Sequence, residues 1–179
     1  MHISGAWILL LFICAVAALM MLALHRTKLG LLIRQRIPDR PHQRLFLASV
    51  SFFITFLGVR LLVASITHHI GPFGYVQVRG HHIHHLVWGI LLLLITGYAE
   101  LAEVGMGDSF VSILMSRLIS IGFGMGAALT LDEFALWLNL DAMAYWSRQG
   151  RESIDAVVLF GAMLAMGTWG APLFRRHRL

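Results

Sequence analysis

The chain reads as an all-α protein, a single domain over residues 1–179 built as a bundle of about five transmembrane helices. Three observations predict this. Hydrophobic residues make up 58% of the 179 positions and charged ones 13%, about half the charged fraction of a soluble domain. Mean hydropathy is +0.77. The apolar residues also fall in long continuous runs, each near the roughly 20 residues a helix needs to cross a bilayer. Barrel strands alternate polar and apolar positions, and these runs do not. In hydrocarbon every backbone group must be satisfied internally, which leaves helices.

The first run is Ile3–Leu24. No positive residue precedes it, and Arg26 and Lys28 follow it. That polarity fits a retained helix with its N-terminus outside, not a cleaved signal peptide. Cys14 lies within it and is the only cysteine, so an internal disulfide and a Cys-rich metal site are excluded. The loop His25–Arg44 carries Arg26, Lys28, Arg34, Arg36, Arg40 and Arg44. Leu29, Ile33 and Ile37 recur at four-residue spacing, which allows a short basic surface helix ended by Pro38 and Pro41. A solvated loop is the simpler reading.

The second run is Leu45–Ile66 and the third Leu86–Val104. The fourth, Phe110–Leu138, is longer than a bilayer requires and predicts a tilted or projecting helix. The fifth is Ile154–Phe174, with Ser153 as an expected N-cap and Asp155 in the first turn. Gly122 with Gly126, and Gly161 with Ala165, are small-xxx-small pairs that let helix backbones approach closely, within the chain or in a homo- or hetero-oligomer. Gly122, Gly124 and Gly126 follow no strand and do not form a dinucleotide loop.

With five runs, the His25–Arg44 loop and the tail Arg175, Arg176 and Arg178 share one side. The other side carries only Arg79, Arg148 and Arg151. The positive-inside rule puts the C-terminus in the cytoplasm and the N-terminus outside. The net charge of +5 is accounted for by topology, so nucleic acid is not an expected partner and the lipid bilayer is.

Polar groups gather at the outer boundary. The second run ends in Ser65-Ile66-Thr67-His68-His69, and the third is preceded by His81, His82, His84 and His85. Asp132 and Glu133 lie about 33 Å along the fourth helix from Phe110, one bilayer thickness. If Gly80–Leu86 is helical, the four histidines of the third run share an arc of about 160°. His81 and His85 then sit one turn apart, a common two-ligand arrangement. Asp132 and Glu133 can add oxygen ligands, orient an imidazole or act as general base. A mixed His/carboxylate set suits a divalent metal such as zinc or iron. The alternative is plain interfacial decoration.

Glu100 and Arg117 fall at matching depth on consecutive helices, each about 22 Å from its outer end, which predicts a structural ion pair, with Glu103 as alternate partner. Arg60 sits about 12 Å inside the outer boundary. It is placed to pair with Asp132 or Glu133, or to bind an anionic substrate or lipid group. Tyr145 and Trp146 read as an interfacial anchor, or else as a lid over the cluster.

HHIHHLVWGI, LTLDEFALWL and YWSRQGRESIDAV together resemble a family of small bacterial integral membrane proteins, over Arg79 to Val157. The resemblance implies a bacterial inner-membrane location and treats His81, His82, His84, His85, Asp132 and Glu133 as one unit. It brings no activity. His81-His82-Ile83-His84-His85 is also similar to the HxxHH box of membrane fatty-acid desaturases and hydroxylases, which are di-iron enzymes. Those are longer proteins with further boxes, on the cytoplasmic side. Ser65 and His69 are spaced as in alkaline-ceramidase-like hydrolases, with the order of elements different.

The leading functional expectation is a metal site with ligands among His81, His82, His84 and His85, and Glu133 or Asp132 as base. It would serve a hydrolase or oxidoreductase acting on a lipid-like substrate. A proton or metal-ion transporter and a non-catalytic accessory subunit are the alternatives.

Overall fold

A computed structural model describes residues 5–37, 39–70, 77–78, 81–139 and 151–169. Seven helices form among them: α1 (Gly5–Arg26), α2 (Lys28–Arg36), α3 (Arg40–Thr67), α4 (His85–Leu101), α5 (Phe110–Asp132), α6 (Phe134–Asn139) and α7 (Arg151–Trp169). Two two-residue strands, β1 (Gln77–Val78) and β2 (His81–His82), pair antiparallel between α3 and α4. The all-α expectation holds. Helices α3 and α5 are each long and apolar enough to cross a membrane, and Leu11–Arg26 and His85–Leu101 are shorter apolar helices.

Helix α5 is the axis of the bundle, and its contacts with α3 and α4 are the most extensive in the chain. Its second half is made of small residues, and Gly124, Gly126, Ala127 and Ala128 are all buried. A Cβ on Gly89 of α4 would sit 2.5 Å from Thr130 Oγ1 and 2.8 Å from the Gly126 carbonyl. The missing side chain is what lets α4 lie directly on the α5 backbone. Gly122 and Gly126 face Thr96 and Leu92 of α4, and Gly161 of α7 faces the Phe52 and Phe53 rings of α3. The small-residue faces therefore serve packing inside the chain. Phe52, Ala127, Ala128, Val157 and Leu164 form a core shared by α3, α5 and α7. Val16, Met20, Leu47, Ile121 and Met125 join α1 to α3 and α5.

Four boundaries differ from expectation, each for a local reason. The basic stretch after α1 is a helix: Ile33 and Ile37 are buried, and that burial offsets the ordering of a charged segment. Helix α3 starts at Arg40, because Asp39 caps it by accepting from the His42 N–H at 3.2 Å. Helix α7 starts at Arg151, so Ser153 is in its first turn and not at its cap. The long fourth run breaks at Glu133 into α5 and α6. There the Ala135 N–H donates to Ser153 Oγ at 2.9 Å, a partner outside its own helix.

The α4–α5 turn is held from α3. Arg40 donates to the carbonyls of Met106 and Gly107, both at 2.8 Å, and pairs with Asp108 at 3.1 Å. Gly105 has φ +87°, and a Cβ there would stand 2.6 Å from the Ser116 nitrogen, so both conformation and space require glycine.

Candidate functional site

The site forms where the C-terminal half of α3, the start of α4 and the end of α5 meet. Asp132 is fully buried and Glu133 is 5% exposed. Two adjacent buried carboxylates are costly unless each oxygen finds a donor, and here each does. Arg60 Nε of α3 donates to Asp132 Oδ1. His85 Nε2 lies 2.9 Å from Asp132 Oδ2. His84 Nδ1 lies 2.8 Å from Glu133 Oε1, and the Leu86 N–H donates to Glu133 Oε2 at 2.9 Å. A carboxylate only accepts, so the facing imidazole nitrogens carry the hydrogens. His85 Nδ1 also stands 3.5 Å from Glu133 Oε1, so both nitrogens of that ring face acids.

These contacts explain where α4 begins. His84 is the N-cap in extended conformation, and its own side chain makes no capping bond. The capping acceptor comes instead from Glu133, whose carboxylate takes the Leu86 N–H and lies at the positive end of the helix. His81 and His82 are consequently outside the helix, in β2. The expected arc of four histidines on one helical face does not form. The side chains of His81 and His82 lie outside the described residues, as do residues 140–150 with Tyr145 and Trp146.

Of the residues singled out from sequence, His84, His85, Asp132, Glu133 and Arg60 come together. His68, His69 and Asp155 are exposed. Arg60, expected either on an acid or on a substrate anion, is on Asp132, with its guanidinium 5.4 Å from the Phe56 ring centroid. Among the described residues no group of three or more His, Cys, Asp or Glu side chains is arranged to hold a metal ion. The His84 side chain retains 34% exposure against 11% for His85, so it is the imidazole a solvent-borne molecule can reach.

Glu100 lies about 22 Å away along α4. Val59, Leu129 and Leu92 fill the space next to the site, and Ile121 and Met125 continue that packing inward. Glu100 pairs with Arg44 of α3, a partner the depth argument did not name because the acid was matched only with α5. Ser153, expected to cap α7, instead accepts from the Ala135 N–H and ties α7 to the turn after Glu133, a role the sequence reading did not assign to it. Its signal was faint, because Ser153 follows the charged Arg151 and Glu152 in the same first turn.

Comparison of the chain with protein-family descriptions, with curated proteins and with solved structures finds no match.

Proposed function

We propose that the chain is a multi-pass inner-membrane protein of five spans, N-terminus outside, and that the histidine–carboxylate junction is its working centre at the extracytoplasmic boundary. The observation that carries this is the His84 Nδ1 to Glu133 Oε1 contact of 2.8 Å. A buried acid holding one imidazole nitrogen fixes the ring and its tautomer. His84, His81 and His82 lie within four residues of one another, and three imidazoles so close in sequence suit a zinc or iron site. Asp132 and Glu133 act behind the histidines and not as ligands, since their oxygens face Arg60, the imidazoles and a backbone amide. The chemistry that suits such a centre is hydrolysis or oxidation of a lipid-like molecule reaching the membrane surface.

The test is elemental analysis of the protein purified in detergent without chelator. About one equivalent of zinc or iron is expected, lost in His84→Ala and His81→Ala. Glu133→Gln should weaken metal affinity roughly 10- to 100-fold. A metal-free wild type whose unfolding temperature ignores added zinc and ferrous iron overturns the assignment.

A second reading is favoured by the completeness of the network. With a donor on each of the four carboxylate oxygens, the junction also serves as a structural clamp of three helices, as suits an accessory subunit. Loss of stability in His84→Ala and Glu133→Gln, with no metal in the wild type, selects it. Transport receives less support, because the apolar layer of Val59, Leu92 and Leu129 lies between the junction and Glu100.

A further inference from the structure

Helix α2 does not continue the line of α1. In an unbroken helix Gly30 would lie about 9 Å along the axis from Leu24. Here a Cβ on Gly30 would stand 1.9 Å from the Leu24 carbonyl oxygen. The chain therefore turns near Thr27, and α2 lies against the end of α1. Gly30, Ile33 and Ile37 are buried, and the Ile37 N–H extends the helix by donating to the Ile33 carbonyl at 2.8 Å. At 100° per residue these three fall within an arc of about 60°. Leu31, Gln35, Lys28, Leu32 and Arg36 occupy about 140° on the opposite side, and all five are exposed.

Two independent features of that outward face select its partner. Leu31 is 63% exposed and Leu32 53%, and two such side chains on a nine-residue helix are unfavourable against water. The charge around them is of one sign. No Asp or Glu precedes Asp39, and residues 25–44 hold six Lys or Arg to that one acid. Asp39 is engaged by His42, and among the described residues no acid pairs with Lys28 or Arg36. A nucleic acid would satisfy the cations and leave the leucines wet. A leaflet of anionic phospholipid satisfies both, with phosphates for the cations and acyl tails for the leucines. Leu19 and Leu22 of α1 are exposed as well, so apolar surface runs on from α1 to α2.

We propose that α2 is a contact for anionic phospholipid. It lies in the headgroup layer with Leu31 and Leu32 inserted and Lys28 and Arg36 on lipid phosphates. The Lys28 stem lies between the two leucines while its ammonium reaches the phosphate level. The proposal rests on the five-span reading, in which α1 ends at the cytoplasmic leaflet. It is independent of the histidine–carboxylate junction.

The experiment uses the full chain with Cys14→Ser and Gln35→Cys, carrying a polarity-sensitive fluorophore on the new thiol. The protein is reconstituted in bilayer discs of phosphatidylcholine alone or of phosphatidylcholine with phosphatidylglycerol. Phosphatidylglycerol should shift the emission to the blue and shield the label from acrylamide, and added salt should reverse part of the shift. Lys28→Gln with Arg36→Gln should need several-fold more phosphatidylglycerol for the same shift. Leu31→Ser with Leu32→Ser should leave the label exposed in both kinds of disc. Equal emission and quenching in the two lipids overturn the contact and leave the spans standing, including the case in which inorganic phosphate alone reproduces the shift. A chain that stays monomeric in buffer without detergent overturns the span reading, and this contact with it.

Discussion

Asp132 has no exposed surface, yet it sits one residue from a second acid. It is tolerated there because Arg60 comes from α3 and His85 from α4 to meet its two oxygens. Removing one partner leaves a buried charge uncompensated, at a cost of about 3–5 kcal/mol, whereas replacing a pair by apolar groups is often near neutral. Arg60→Met should therefore lower stability by about 3 kcal/mol or more. Adding Asp132→Asn to Arg60→Met should restore part of that loss, even though Asp132→Asn alone is destabilising. Unfolding of the four proteins of this cycle measures the coupling, and strictly additive losses would show that Arg60 acts elsewhere. Much of this pair was legible in the sequence, since a cation about 12 Å inside one helix end and an acid at the end of another meet when the helices pack side by side. Glu100 was harder. Several arginines stand at the end of the bundle opposite the junction, and depth alone did not choose Arg44.

At the scale of elements, the junction depends on how closely α4 lies on α5. Gly89 sets that approach: a methyl group there would meet Thr130 Oγ1 at 2.5 Å and the Thr130 nitrogen at 2.7 Å. The obstacle is largely backbone, so the helices must separate. Gly89→Ala should cost about 1–3 kcal/mol, the range for overpacking. Since Gly89 is one turn from His85, it should also loosen the His84–Glu133 contact and reduce any metal bound there. Gly97→Ala, on the same helix but with nothing within 4 Å of the added Cβ, is the control and should be neutral or slightly stabilising. Equal effects of the two substitutions would mean that the response comes from helix propensity and not from the α4–α5 approach. The helices themselves were legible, because each apolar run is helical over most of its described length, the fourth broken in two at Glu133. Their ends were not, and the reason is physical. The start of α4 is set by a carboxylate 47 residues downstream, and the turn after α5 is held by a hydroxyl 18 residues downstream. Capping rules read neighbours in sequence, and these caps are neighbours only in space.

For the whole molecule, the arrangement of charge and apolar surface decides which way the bundle faces. Exposed large apolar side chains run along α4 from Val87 through Leu91, Leu94, Ile95 and Tyr98 to Leu101, and along α7 from Ile154 through Leu159 to Met166. Such faces are stable against lipid tails and unfavourable against water. The basic helix α2 and the Arg40–Asp108 contact mark one end of the bundle, and the histidine–carboxylate junction lies toward the other end of α3 and α5. A positive-inside orientation places α2 in the cytoplasm and the junction outside. It makes a direct prediction for two exposed positions, Arg36 at the end of α2 and Thr67 at the end of α3. In a Cys14→Ser background, Thr67→Cys should react with a membrane-impermeant maleimide on intact cells, and Arg36→Cys only after permeabilisation. The reverse pattern would place the junction on the cytoplasmic side, where its substrates would be cytoplasmic and the positive-inside argument would fail for this chain. Reaction of both residues from outside would mean that α3 does not cross the bilayer. In that case the pairing of Arg60 with Asp132 would remain, but the lipid-facing reading of α4 and α7 would not.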